Sequence, residues 1–168
     1  MSATPRQPVV LDATVLSNFA STGTVNALVD ILDRPATVPG VQTELERGYA
    51  RDYDFLDDAL ARIGDDITLL GVEEQSTGET AIRDRLDSGE AEALLGAIAR
   101  EGTLATDDLA ARETATERGV QVTGSVGLLV VGIHRGEIDA STANQWLDDW
   151  RAKRGYYAPV ERIEEILG

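Results

Sequence analysis

Five short runs rich in β-branched or apolar residues recur along this 168-residue chain, and helical periodicity follows each of them. The runs are "PVVLD" (8–12), "ATV" (36–38), "ITLL" (67–70), "TLAT" (103–106) and "VQVT" (120–123). The helical stretches carry start signals. Thr24 precedes "VNALVDIL", Gly40 precedes "VQTELERGYA", Ser76 precedes "GETAIRDRL" and Ser88 precedes "GEAEALLGAIAR", while Asp107 opens "DLAARETATER" and Ser125 opens "VGLLVVGIHR". Strands separated by helices are joined by crossovers rather than hairpins, so they make a mostly parallel sheet with both faces covered. The predicted fold is α/β with three layers, α/β/α, around a twisted sheet of about five strands. Two C-terminal helices pack against it.

No repeat, low-complexity segment or linker interrupts the pattern, so residues 1–168 read as one domain with a flexible N-terminus over 1–7 and a C-terminal helical extension over 137–168. A chain of this length buries a core without covalent staples. It has no cysteine, which removes disulfides, thiolate metal sites and a Cys nucleophile, and fits a reducing, cytoplasmic address. The longest apolar run, "VGLLVVGI", falls far short of the ~18 residues that span a bilayer, so no membrane role is expected.

The net charge is −15, from 30 acidic and 15 basic residues, and Lys153 is the single lysine. That balance argues against a generic duplex-coating surface. It also matches chains adapted to molar salt, as in a halophilic archaeon, where the Debye length is only ~3 Å and net charge says little about partners.

The carboxylates carry the chemistry. In doubly wound sheets functional groups gather at the carboxyl ends of the strands, beside the point where strand order reverses. Asp12 ends the first run, and Asp107 and Asp108 follow the fourth. If these two strands are neighbours at the switch point, all three aspartates face one crevice. Glu44 and Glu46 open one flanking helix, and Glu90 and Glu92 open another. Two residues turn about 200° around a helix, so at most one member of each pair reaches a given site. Clustered carboxylates repel, and a bound cation relieves them. Oxygen-only ligands select Mg²⁺ or Mn²⁺, and metal-assisted phosphodiester hydrolysis follows.

Competing chemistries lack their parts. One histidine, His134, supplies neither an imidazole pair nor an H-E-x-x-H zinc site, and the chain has no Gly-rich phosphate loop. Phosphotransfer on Asp12, as in receiver domains and haloacid-dehalogenase-like phosphatases, wants a lysine near the phosphate. Lys153 lies in the tail.

Four segments, "VVLDATVLSNF", "VPGVQTELERG", "LDSGEAEALLGAIA" and "LATDDLAARETATERGVQVTGSVGLLVVGIHRGEI", resemble in that order the acidic motifs of PIN-domain proteins. The likeness is to a prokaryotic PIN-like branch related to the toxin ribonucleases of toxin–antitoxin pairs, and it runs from about residue 8 to the end, weakest over 50–75. The resemblance implies a PIN-like fold and a Mg²⁺- or Mn²⁺-dependent endoribonuclease, with RNA as substrate, an antitoxin protein as partner and a homodimer as a common assembly. It implies Asp12, Glu44, Glu92 and Asp108 as catalytic residues, and Asp12, Glu92, Asp107 and Asp108 as metal ligands. Glu90, Thr14, Asn18 and Thr106 are their supporting neighbours. Some PIN-like proteins are catalytically silent scaffolds, so an RNA- or protein-binding module is the alternative.

Simpler roles stand beside these. Asp107 also fits a helix cap, and Asp12 also fits a turn acceptor. The glutamates also suit helix N-terminal dipoles or solvent, and Thr14, Asn18 and Thr106 suit turns and caps. His134 suits a helix C-terminus, and Trp146 and Trp150, four apart, stack on one helical face as core or dimer contact. The basic cluster "RAKRGYY" offers Arg151, Lys153 and Arg154 to RNA phosphates, or simply solvates a helix end.

Overall fold

All five predicted runs form strands in the computed structural model, which describes residues 4–71 and 79–167: β1 (Val9–Leu11), β2 (Pro35–Thr37), β3 (Thr68–Leu69), β4 (Thr103–Ala105) and β5 (Gln121–Thr123). Every pairing is parallel and the order is β3-β2-β1-β4-β5. The chain leaves β1 toward β2 on one side and returns to β4 on the other, so β1 and β4 flank the switch point. Leu11 pairs with Ala105 in register, and the Asp12 N–H donates to the Ala105 carbonyl at 2.9 Å. Asp12 and Thr106 therefore emerge side by side at the same sheet edge.

Burial follows position in the sheet. Val9, Val10 and Leu11 of β1 are wholly buried, because helices cover both faces of a central parallel strand. The edge strands are less so: Leu69 of β3 is 39% exposed.

The helices are α1 (Ala13–Ser21), α2 (Val25–Ile31), α3 (Pro39–Ala50), α4 (Asp57–Arg62), α5 (Glu79–Arg85), α6 (Ser88–Arg100), α7 (Leu109–Glu117), α8 (Ser125–His134), α9 (Ala140–Arg154) and α10 (Glu164–Leu167), with a 3-10 turn at Asp54–Leu56. Helix α1 begins directly at the end of β1 with Asp12 at its N-cap position, although the Asp12 side chain makes no cap hydrogen bond and turns to Thr14 and Thr106 instead. Pro39 opens α3 at a position whose missing N–H costs nothing. Two caps differ from expectation. Asp87, not Ser88, caps α6: its side chain accepts from the Glu90 N–H at 2.8 Å, and Glu90 answers on the Asp87 N–H, a capping box. Asp108, not Asp107, caps α7, accepting from the Ala111 N–H at 2.9 Å. The predicted start at Ser76 lies outside the described residues.

The C-terminal helices lock onto this frame. Trp150 of α9 is fully buried, 5.0 Å centre to centre from Phe19 of α1 and 5.7 Å from Tyr156, both edge-on. The buried Asn144 donates to Glu164 and accepts from the Ile163 N–H, each at 2.8 Å, which fastens α10. Of the expected flexible N-terminus, residues 1–3 lie outside the described residues. Arg6 is held through its N–H to Gln121 and its carbonyl to the Thr103 hydroxyl. Among the described residues no helix is long and apolar enough to cross a membrane.

Candidate active site

Thr106 follows β4 with its side chain fully buried, and its hydroxyl joins two functional carboxylate positions. It donates to Asp12 Oδ2 at 2.7 Å and accepts the Asp108 N–H at 3.1 Å. Thr14 repeats the device one residue earlier: its hydroxyl donates to the same Asp12 Oδ2 at 3.3 Å and accepts the Asp107 N–H at 3.0 Å. Two hydroxyls thus tie the ends of β1 and β4 together and aim one carboxylate. Asp12 itself is 1% exposed. Burial holds its carboxyl above the ordinary range, against the Thr106 hydrogen bond.

The opposite wall comes from α3 and α6, which approach closely where Gly40 faces Gly89. A Cβ on Gly89 would stand 3.3 Å from the Gly40 carbonyl and 3.1 Å from Glu44 Oε1. This approach brings Glu44 and the α6 N-terminus to Asp12. Desolvation, then the charges of Asp12 and Asp87, push the Glu44 carboxyl up to about 7 against the pull of Arg47. Desolvation also raises Glu90 to about 7, helped by the charges of Asp87, Asp108 and Asp12 and opposed by its hydrogen bond to the Asp87 backbone. Asp12, Glu44, Asp87, Glu90 and Asp108 form one acidic crevice.

Asp107 and Asn18 go elsewhere, and Glu92 stays in the groove that Glu44 and Asp87 line but is tied to α3. Glu92 turns to α3, where it accepts the Gly40 N–H at 2.8 Å and satisfies a helix start whose N-cap, Val38, has no side-chain acceptor. Asp107 turns away from the crevice to α8. Its Oδ1 accepts from the Ser125 N–H at 2.8 Å and the Tyr156 hydroxyl at 3.3 Å, and its Oδ2 from the Ser125 hydroxyl and Asn18 Nδ2. The expectation that all three aspartates share one crevice is thus corrected for Asp107, because four donors already occupy its oxygens. Burial, then the Asp107 charge, raises the Tyr156 pKa, which keeps that hydroxyl a donor. Asn18 belongs to this nest as well, with its Oδ1 taken by Arg154 Nε at 2.9 Å.

Of the basic cluster, Arg151 is engaged by Asp148 and by the Val160 carbonyl. Lys153 and Arg154 line a cavity with Glu44. Asp87 joins the crevice unforeseen, although "DSGE" carries the D-x-x-E spacing of a capping box.

The donor set is entirely carboxylate oxygen, which fits a hard dication. Among the described residues no three His, Asp or Glu side chains are grouped closely enough to hold a metal ion as placed. The DUF3368 family model, described as a PIN domain, matches residues 8–168. No curated protein matches the chain.

Proposed function

This chain belongs to the PIN-domain family, a nuclease-type fold, and we propose that its acidic crevice is the active site of a Mg²⁺- or Mn²⁺-dependent endoribonuclease. The observation that carries the reading is the buried Asp12 at the end of β1, aimed by the Thr106 and Thr14 hydroxyls beside Asp108 at the switch point, with Glu44 and Glu90 near it and both pushed up to about 7, first by burial. Left alone, such a cluster opposes folding at neutral pH.

Asp12 would hold the ion, with Glu90 and Asp108 moving in to complete the oxygen set. When bound, it polarises a phosphoryl oxygen and lowers the pKa of a water. Thr106 and Thr14 fix the orientation of the Asp12 carboxylate. Glu44, poised near neutrality, is suited to take a proton from the attacking water at its carboxylate and to return it toward the leaving oxygen.

The test is cleavage of labelled single-stranded RNA in high potassium chloride with Mn²⁺, Mg²⁺ or EDTA, wild type against Asp12→Asn. Asparagine keeps the shape and an acceptor for both hydroxyls. Cleavage is expected with metal only, and the variant should lose roughly 10²–10³-fold or more. Folded wild type that cuts nothing would remove the nuclease reading and leave a binding module.

A further inference from the structure

The cations of this acidic chain are divided in their use. Arg62, Arg83, Arg85, Arg135, Arg151 and Arg162 each ion-pair with a carboxylate. Among the described residues Arg6, Arg34, Arg112 and Arg118 form no ion pair, and neither do Arg47, Arg51, Lys153 and Arg154, which alone among these stand together, although acids outnumber bases 30 to 15. These last four line two adjoining grooves of about 440 and 530 Å³ that share Glu44, Gly48 and Tyr53. Lys153 and Arg154 lie in the first, Arg47 and Arg51 in the second. Both therefore run beside a carboxylate of the acidic crevice.

An aromatic platform stands where the grooves join. Tyr53 is 54% exposed, and its ring meets Phe55 edge-on at 6.0 Å. The Arg154 guanidinium lies 5.7 Å from the centre of the same Phe55 ring, and its Nε is pinned by Asn18. Asp52, in the left-handed region at φ 74°, turns the chain out of α3 and delivers Tyr53 to this place. Exposed aromatic face, unpaired cations and an adjoining phosphodiester-cutting crevice are the parts of a single-strand track.

We propose that this double groove binds the nucleotides flanking the cut in single-stranded RNA, with a base stacked on Tyr53 and its phosphates held by Lys153 and Arg154 on one side and by Arg47 and Arg51 on the other. The position of the cut rests on the nuclease reading; the binding does not. A duplex hides its base faces in its own stack, so Tyr53 serves only unpaired bases.

The experiment uses the full chain carrying Asp12→Asn, so that RNA stays intact, and reads fluorescence anisotropy of a labelled single-stranded oligonucleotide in Mg²⁺ over a range of potassium chloride. Tyr53→Ala should weaken binding roughly tenfold, and Tyr53→Phe should not. Lys153→Gln and Arg154→Gln should each reduce the slope of log K against log salt by about 0.7, a readout that loss of packing does not move. Duplex RNA should bind more weakly and ignore Tyr53→Ala. Arg154 is tied to Asn18, so if Arg154→Gln does not melt cooperatively, the exposed Lys153→Gln carries the electrostatic arm. Folded variants with unchanged affinity and slope, or no binding of single strands, overturn the subsite. Tyr53-dependent binding with no metal-dependent cleavage by wild type would remove the nuclease reading and keep the subsite. Cleavage whose KM ignores Tyr53→Ala would do the reverse.

Discussion

The nest around Asp107 and the crevice around Asp12 share a border of two threonines and follow opposite rules. In the nest one carboxylate receives four donors, from Ser125 twice, Asn18 and Tyr156. In the crevice five acids act on one another, and Glu44 accepts no hydrogen bond from any described residue. A carboxylate surrounded by donors has its charge answered by the fold and serves as a structural knot. In the crevice Asp12, Asp87, Glu90 and Asp108 each accept one or two donors and Glu44 none, so their charges are only partly answered by the fold and stand open to a ligand. Asp107 and Asp108 show that adjacent residues can fall on opposite sides of this line.

The sharpest way to break the comparison is to remove one acid from each region and measure unfolding by urea in high potassium chloride. Asp107→Ala strands the Ser125 hydroxyl, the Asn18 amide and the Tyr156 hydroxyl and uncaps α8. Its expected cost is about 2–4 kcal/mol. Asp12→Asn replaces a buried charge by a neutral group of the same shape and should stay within about 1 kcal/mol of wild type, or gain. Equal losses would mean that both carboxylates are structural.

The pH dependence sharpens the same contrast. Glu44 and Glu90 titrate near 7 in the fold against an ordinary 4.5, so between these values the folded protein keeps protons that the unfolded chain has released. Stability is therefore greatest below about 4.5 as far as these two groups are concerned, falls as pH rises toward 7, and levels off above it. Both carboxyls are partly exposed, so solvent screening leaves a combined effect on the order of 1–2 kcal/mol. Melting followed from pH 5 to 8 should show the decline, and Mn²⁺ should flatten it. A decline that Mn²⁺ leaves untouched would separate the acidic crevice from metal binding.

What was legible in the sequence follows physical range. Strand and helix periodicity is local, so five strands, their parallel pairing and the meeting of Asp12 with Asp108 at the switch point could be read directly. Helix α1 was not, because its one polar start residue, Asp12, reads equally as the functional end of β1. The fate of Asp107 depends on Asn18, Ser125 and Tyr156, which only the folded chain assembles. Tyr53 lies in the segment with the least patterned sequence. The pair Glu90 and Glu92 marks the boundary between the two cases: a spacing of two predicts that they part, and only the approach of Gly40 to α6 decides which one faces Asp12.

That choice gives the finest test. Glu92→Gln keeps an acceptor for the Gly40 N–H and should change stability by less than about 1 kcal/mol and leave Mn²⁺ affinity intact. Glu90→Gln removes one of the mutually repelling charges, so its stability should hold while Mn²⁺ affinity, measured by calorimetric titration, falls roughly tenfold. The reverse result would restore Glu92 as the third ligand that the PIN-domain resemblance implies. Glu92 holds the Gly40 N–H through Oε1 alone, so Oε2 is the oxygen that would reach a metal while the start of α3 stays satisfied. The paired titrations therefore distinguish the two: the variant whose Mn²⁺ affinity falls has lost the ligand, and the start of α3 is unaffected in either case.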